Sequence, residues 1–340
     1  MRSKLAFFLL VLCVAACRPD PPAPPDPVLS AERIFILNEG NFQRGNATLD
    51  LYNPEAQTLE SGVFSRINNE PVGDVLQSIT HTEEAIYLIV NNGQHVKVLD
   101  PLTLTQTERI DSLTSPRYLL PISDGKAYVS DLYANAISVV DLKNNSLTGS
   151  IPLTGWTEEM IMSGGSVYAT NLRKPWLYQI DPGTDQVVDS LSLAAPAGKI
   201  LRHSDGNLWL AAPYDPVAQT GGYLFEVDPD QNKLLRQYIF PAETGPSDIA
   251  FHPTQDSLYY LTGEGLFVFP LAQMELPRSP FIQADGALFY GMGVDPNNGD
   301  IYLADAIDYV QRGIVLRYNT AGELIDEFRT GIIPGAFGFE

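Results

Sequence analysis

The chain has 340 residues, of which 41 are acidic and 21 basic, so the formal net charge is −20. So acidic a surface repels phosphate backbones, which excludes nucleic-acid binding through counterion release. A hydrophobic fraction of 44% excludes disorder over the whole length, and two cysteines exclude a disulfide scaffold or a thiolate zinc site.

Arg2 and Lys4 precede an apolar run from Leu5 to Val14, then Ala15, Ala16 and Cys17. A charged start, about ten apolar residues and small residues at the end read as a signal peptide over 1–16, too short for a membrane span. The segment VAAC at 14–17 resembles a bacterial lipobox, whose Cys carries lipid in the mature chain. Cys17 is therefore the expected lipidation site, and the lipid the only contact with a membrane. Residues 17–30 follow as the lipidated Cys and a spacer, RPDPPAPPDPVLS, rich enough in proline to favour extended polyproline II.

The remainder, residues 31–340, repeats. A short apolar strand centred on an aromatic recurs at Phe35, Tyr87, Tyr128, Tyr168, Trp209, Tyr259 and Tyr302, at intervals of 52, 41, 40, 41, 50 and 43 residues. Each is followed by a strand, a tight turn and a returning strand, as in LYNPEAQT, VLDPLTLT, VVDLKNNS, QIDPGTDQ, EVDPDQNK, a degenerate FVFPLAQM and RYNTAGEL. From the second unit on, each is also preceded by a strand ending in a hairpin, as in RYLLPISDGKA or KILRHSDGNL. Helical periodicity is nowhere evident. Four strands in a period of about 44 residues describe a propeller blade, so the predicted fold is all-β: a seven-bladed β-propeller with four antiparallel strands per blade. The first unit lacks an inner strand, and IIPGAFGFE at 332–340 matches the missing pattern, so the C-terminal strand should close the ring.

AYVSDL and VYATNL, with the segments after them, resemble YVTN-type propeller repeats, and LNEGNFQRGNATLDLYNP at 37–54 resembles the start of lipid-anchored, seven-bladed surface propellers of the Bacteroidota. That family includes cobalamin-capturing lipoproteins that sit over a TonB-dependent outer-membrane transporter. The resemblance implies a noncatalytic surface protein that binds a small-molecule nutrient, with a corrinoid as ligand rather than cofactor, and an outer-membrane location. It assigns no ligand-contacting residue. A protein- or glycan-binding envelope scaffold and a propeller hydrolase such as a lactonase stand as alternatives.

No constellation of catalytic residues appears. His81, His203 and His252 fall at hairpin ends and His95 in a loop, and there is no GxSxG elbow or HExxH pair. DPNNGD at 295–300 lacks the ligand spacing of a calcium loop and reads as a turn, so no metal site is predicted. Loop lengths indicate a working face instead. Turns joining the first to the second strand of a blade, and the third to the fourth, are expected to be short and stereotyped. Connections on the other face vary: 39–46, 91–95, 131–136, 171–176, 212–222 and 305–313 within blades, and 65–74 or 277–290 between them. These carry the candidate ligand-binding residues Phe42, Arg117, Tyr118, Tyr133, Trp156, Arg173, Trp176, Tyr214, Tyr290 and Tyr309. Arg44, Lys174, Lys199 and Arg312 fall on the same face, while Asn38, Asn91, Asp131, Asn171 and Asp305 are expected to cap the exits of the aromatic strands.

Overall fold

The computed structural model describes residues 33–339; the signal peptide, Cys17 and the tether lie outside the described residues. The aromatic repeats form the second strand of seven four-stranded antiparallel sheets. These strands, for example Ile34–Asn38, Ile86–Val90 and Leu208–Ala212, are buried at every position. That explains their unbroken apolar runs, since a strand covered on both faces has no polar alternation. The sheets are the blades of a seven-bladed β-propeller.

The apolar core is not central but lies in seven clusters, one between each neighbouring pair of blades. The repeated aromatics bridge these seams. Tyr168 of blade 4 donates its hydroxyl to the Pro229 carbonyl in a turn of blade 5 at 2.8 Å, and Tyr128 of blade 3 reaches Asp185 in blade 4. In these two blades the acceptor in the adjacent turn satisfies the hydroxyl of a buried Tyr.

The Asx chemistry of the outer turns is as read. Asp228 accepts backbone N–H bonds from Asp230 and Gln231 at 2.9 and 3.0 Å, and Asp100, Asp181 and Asn53 repeat the arrangement in other blades. DPNNGD is likewise a hairpin turn, with the Asp295 carboxylate accepting the Asn297 N–H at 2.8 Å.

The ring closes through the C-terminus. Pro334–Phe339 is the inner strand of blade 1 and pairs antiparallel with Ile34–Asn38, Ile36 opposite Phe337 and Ile34 opposite Phe339. Phe337 and Phe339 pack with Ile34, Ile36, Tyr52 and Tyr302 across the seam between blades 7 and 1.

Two expectations are corrected. The turn between the third and fourth strands of blade 6 is not short, and 277–290 does not lie wholly between blades. Residues 271–281 form that turn, Ile282–Gln283 is the outer strand, and only 284–288 lead to blade 7. No Asp or Asn follows Pro270 to bend the chain tightly, and Pro277 and Pro280 cannot donate to a ladder. The connection at 65–74 contains part of a helix, Val63–Asn68, whose Val63 and Phe64 are buried in the core between blades 1 and 2. Six residues are too few to display a helical period.

Removing residues 334–340 should leave Ile34–Asn38 with an unpaired edge and open the last seam. The expected outcome is loss of a cooperative melting transition or aggregation, checked by calorimetry and light scattering; a truncated chain melting like the full one would contradict this closure.

Candidate functional site

On the face carrying the variable loops, the starts of the seven inner strands converge on a cavity of about 790 Å³, within the range of small-molecule sites. One position per blade supplies its floor: Gln77, Arg117, Glu158, Lys199, Asp248, Tyr290 and Gly335, on blades 2 to 7 and then 1. The wall is completed by Glu39, Phe42 and Asn91 from loops of blades 1 and 2 and by Tyr309 from blade 7.

The floor is charged and internally paired. The Arg117 guanidinium donates to both oxygens of Glu158, Nε to Oε2 at 2.8 Å and Nη2 to Oε1 at 2.5 Å, and a further N–H reaches Gln77. Burial works against the charge on Arg117, but Glu158 holds its pKa above the usual arginine value. Lys199 Nζ sits 3.1 Å from both Glu159 Oε1 and Asp248 Oδ1. Burial opposes this ammonium too, yet Asp248 and Glu159 raise its pKa well above the ordinary lysine value. Asp248 also accepts the Met292 N–H at 3.2 Å, and Glu159 that of Ile200 at 3.0 Å. The pairs thus cross from blade to blade and fix the strand starts relative to one another.

Glu39 differs. Its carboxylate is half-buried and accepts only the Tyr290 hydroxyl, at 3.3 and 3.1 Å, with no ion-pair partner among the described residues. Burial pushes its pKa up, partly offset by the positive field of Arg117. Burial also raises the Tyr290 and Tyr118 phenols. The cavity therefore presents cationic donors, a phenol and one weakly satisfied carboxyl group to an entering molecule.

The rim is held by the strand-exit residues. The Asp131 carboxylate accepts four backbone N–H bonds, from Thr114, Ser115, Tyr133 and Ala134, at 2.7 to 3.0 Å. Asn171 and Asp305 do the same for loops of blades 4 and 7. Each of these residues ties a loop within its blade to the connection entering that blade. Asn91 instead donates to Ser115 Oγ and the Pro116 carbonyl, both at 2.9 Å, and so joins blades 2 and 3 while lining the cavity.

Of the ten ligand-binding candidates, Phe42, Arg117, Tyr118, Tyr290 and Tyr309 line the cavity. Tyr133, Trp156, Arg173, Trp176 and Tyr214 are not among its lining residues. Tyr133 meets Trp156 edge-to-face at 5.5 Å, and the Arg173 guanidinium stacks 3.8 Å over the indole, making a separate cluster on blades 3 and 4. Trp176 begins the third strand of blade 4, beyond the inner ring, and Tyr214 lies half-buried on the 212–222 loop. Sequence reasoning missed Glu39, Gln77, Glu158 and Asp248, and with them the acidic half of the site. A signal existed: Gln77, Arg117, Glu158, Lys199, Asp248 and Tyr290 are 40, 41, 41, 49 and 42 residues apart, the period of the blades. None of the four histidines lines the cavity, and no group of three or more His, Cys, Asp or Glu side chains among the described residues is arranged to hold a metal ion.

The fold and its polar mouth define a seven-bladed propeller with a cavity where the inner strands converge. The chain belongs to the family described as Domain of unknown function (DUF5074), whose model matches residues 32–331. No curated protein matches it in sequence. Among solved structures it is similar to a quinoprotein alcohol dehydrogenase-like protein from Bacteroides thetaiotaomicron VPI-5482, with TM-score 0.71, 15% identity, and 90% of this chain and 78% of that one covered. It is also similar to the periplasmic gluconolactonase PpgL of Pseudomonas aeruginosa, with TM-score 0.68, 12% identity, and 90% and 99% covered. A protein of Bacteroides fragilis NCTC 9343, provisionally assigned as a 6-phosphogluconolactonase, gives TM-score 0.70 at 13% identity over 92% and 99%. At these identities the likeness is one of fold.

The Arg117–Glu158 pair tests the site's internal balance. Their side chains are only 18% and 7% exposed, so Arg117→Met should strand the Glu158 charge and cost about 3 kcal/mol in urea unfolding. Arg117→Met combined with Glu158→Leu should lose much less; a double variant as unstable as the sum of the single ones would contradict the pairing.

Proposed function

We propose that this protein is a noncatalytic binding protein of the bacterial envelope that captures a polar solute in the mouth of its propeller. The observation that carries this reading is the mouth itself: one residue from each inner strand, six of them with side chains paired across blades, facing a cavity lined in part by aromatics. Such a rigid, prepaid arrangement binds with little rearrangement. Burying one aromatic ring against a ligand removes on the order of 100 Å² from water, roughly 2–3 kcal/mol at 25 cal/mol per Å². Arg117 and Lys199 offer N–H donors to ligand carbonyls, and Glu39 offers an acceptor to ligand N–H groups, a combination suited to amides.

The finer reading rests on the resemblance of residues 37–54: the solute is a corrinoid, delivered to a TonB-dependent outer-membrane transporter by a domain tethered through lipid on Cys17. Titrating the purified protein with cobalamin and cobinamide in a calorimeter should give saturable one-to-one binding. Tyr290→Ala with Tyr309→Ala should weaken it at least about tenfold at unchanged melting temperature, while Lys233→Ala on the opposite face leaves it as it was. No heat with either corrinoid would overturn the finer reading, and insensitivity to the mouth variants would overturn the site. Labelled fatty acid should enter the wild-type chain but not Cys17→Ala; a wild type that takes up no label would refute the anchor.

A second reading, hydrolysis of a sugar lactone, is favoured by one observation. Glu39 is a carboxyl group with a raised pKa on the cavity wall, the disposition of a general acid or base, and two similar folds bear gluconolactonase names. Turnover of gluconolactone that disappears in Glu39→Gln would favour this reading over capture.

A further inference from the structure

We infer that the corner of the mouth formed by Glu39, Tyr290 and Tyr309 is a subsite for an organic ammonium group. The inference rests on the mouth being a binding site, but not on the ligand being a corrinoid. Three carboxylates line the cavity, and two are spoken for: Glu158 is held bidentately by Arg117, and Asp248 by Lys199 and the Met292 N–H. Glu39 has only the Tyr290 hydroxyl. Its unused acceptor capacity faces the cavity, and a carboxylate desolvated in this way gains most from a charged N–H donor.

Aromatic rings surround it. Tyr290 and Tyr309 meet edge-to-face with centroids 5.6 Å apart, and Phe42, 63% exposed, is a further aromatic of the same cavity. Rings beside a carboxylate are the two partners that an alkylammonium satisfies together, one by cation–π attraction and the other by a charge-assisted hydrogen bond. An anionic or purely apolar group would satisfy neither.

The corner is also kept open and kept rigid. A Cβ placed on Gly335 would come within 2.8 Å of Glu39 Oε1 and 3.2 Å of Tyr290 Cε1, so the space beside the carboxylate depends on a missing methyl group. Asn41 Nδ2 donates to the Tyr309 carbonyl at 2.5 Å, and the Glu39 N–H to the Ile333 carbonyl at 2.9 Å, which fastens both loops across the seam of blades 7 and 1.

Four other ionisable groups act on Glu39. Arg117 and Lys199, on the inner strands of blades 3 and 5, favour its charge; Glu158 on blade 4 disfavours it, and Tyr290 on blade 7 favours it by hydrogen bonding. Arg117 and Lys199 are themselves paired with carboxylates, which reduces their repulsion of an incoming cation. The net charge of −20 draws cations towards the molecule as a whole.

Since burial raises the carboxyl's pKa, acidification should neutralise Glu39 sooner than an ordinary glutamate, and ammonium binding should strengthen as pH rises through that titration. The probes are n-butylammonium and its neutral counterpart 1-butanol, their dissociation constants measured by saturation-transfer NMR between pH 4.5 and 8. An alkylammonium keeps its charge over this range. At pH 8 the ammonium should bind at least about tenfold more tightly than the alcohol, with the ratio shrinking on acidification. Glu39→Gln should reduce the ratio to less than about twofold at every pH, and Gly335→Ala and Tyr309→Leu should each lower it. Equal binding of the two probes, no binding of either, or a preference that survives in Glu39→Gln would overturn the subsite. Corrinoid titrations on the same samples separate the two claims: if corrinoid binds and the ammonium preference is absent, only the subsite fails.

Discussion

Pairing of Pro334–Phe339 with Ile34–Asn38 is the constraint on which everything else here depends. Every other blade is built from consecutive strands and is stabilised chiefly by local hairpins. Blade 1 alone joins residues some 300 positions apart in the chain, and without it the seven seams become six, with two blades exposing apolar faces. The closing strand also carries Gly335 into the mouth and follows Ile333, whose carbonyl holds the Glu39 backbone. Closure of the ring and assembly of the site are therefore one event. Loop-closure entropy over so long a span grows only slowly with length, which makes a fold completed by its last strand thermodynamically feasible.

The division of labour within a blade follows from burial. Second strands are covered on both sides and are mainly apolar; outer strands such as Gln186–Ser192 face water and are mostly exposed. Inner strands lie between these extremes. Their starts project into the mouth, where no sheet or seam dictates the residue type, and there the sequence is free to vary from blade to blade. The cavity lies where the architecture makes least demand on composition.

The same difference decides what can be read without coordinates. Tyr128, Tyr168 and Tyr302 occupy equivalent positions in three blades, so the repeat announces itself, and an Asp or Asn opens the outer turn of every blade but the sixth. Closure was legible because IIPGAFGFE has an inner-strand pattern with no blade of its own. The face of the ring was legible from loop variability. The floor was not, because Gln77, Arg117, Glu158, Lys199, Asp248 and Tyr290 share a position but no chemistry, and only the ring brings them together. Trp156 and Trp176, large aromatics expected on variable loops, lie outside the cavity lining, and Trp156 is engaged by Tyr133 and Arg173. The helix Val63–Asn68 and the irregular outer part of blade 6 were hidden by shortness and by proline.

The account stands on the mouth being the working part of the molecule. Amide hydrogen exchange followed by mass spectrometry, with and without saturating cobalamin, tests that most directly. The predicted result is slowed exchange confined to the starts of the inner strands near 77, 117, 158, 199, 248 and 290 and to the loops at 39–46 and 305–313. Protection confined to the turns on the opposite face, around 100–105, 141–146 or 228–233, would contradict it, and no protection anywhere would contradict the corrinoid reading alone.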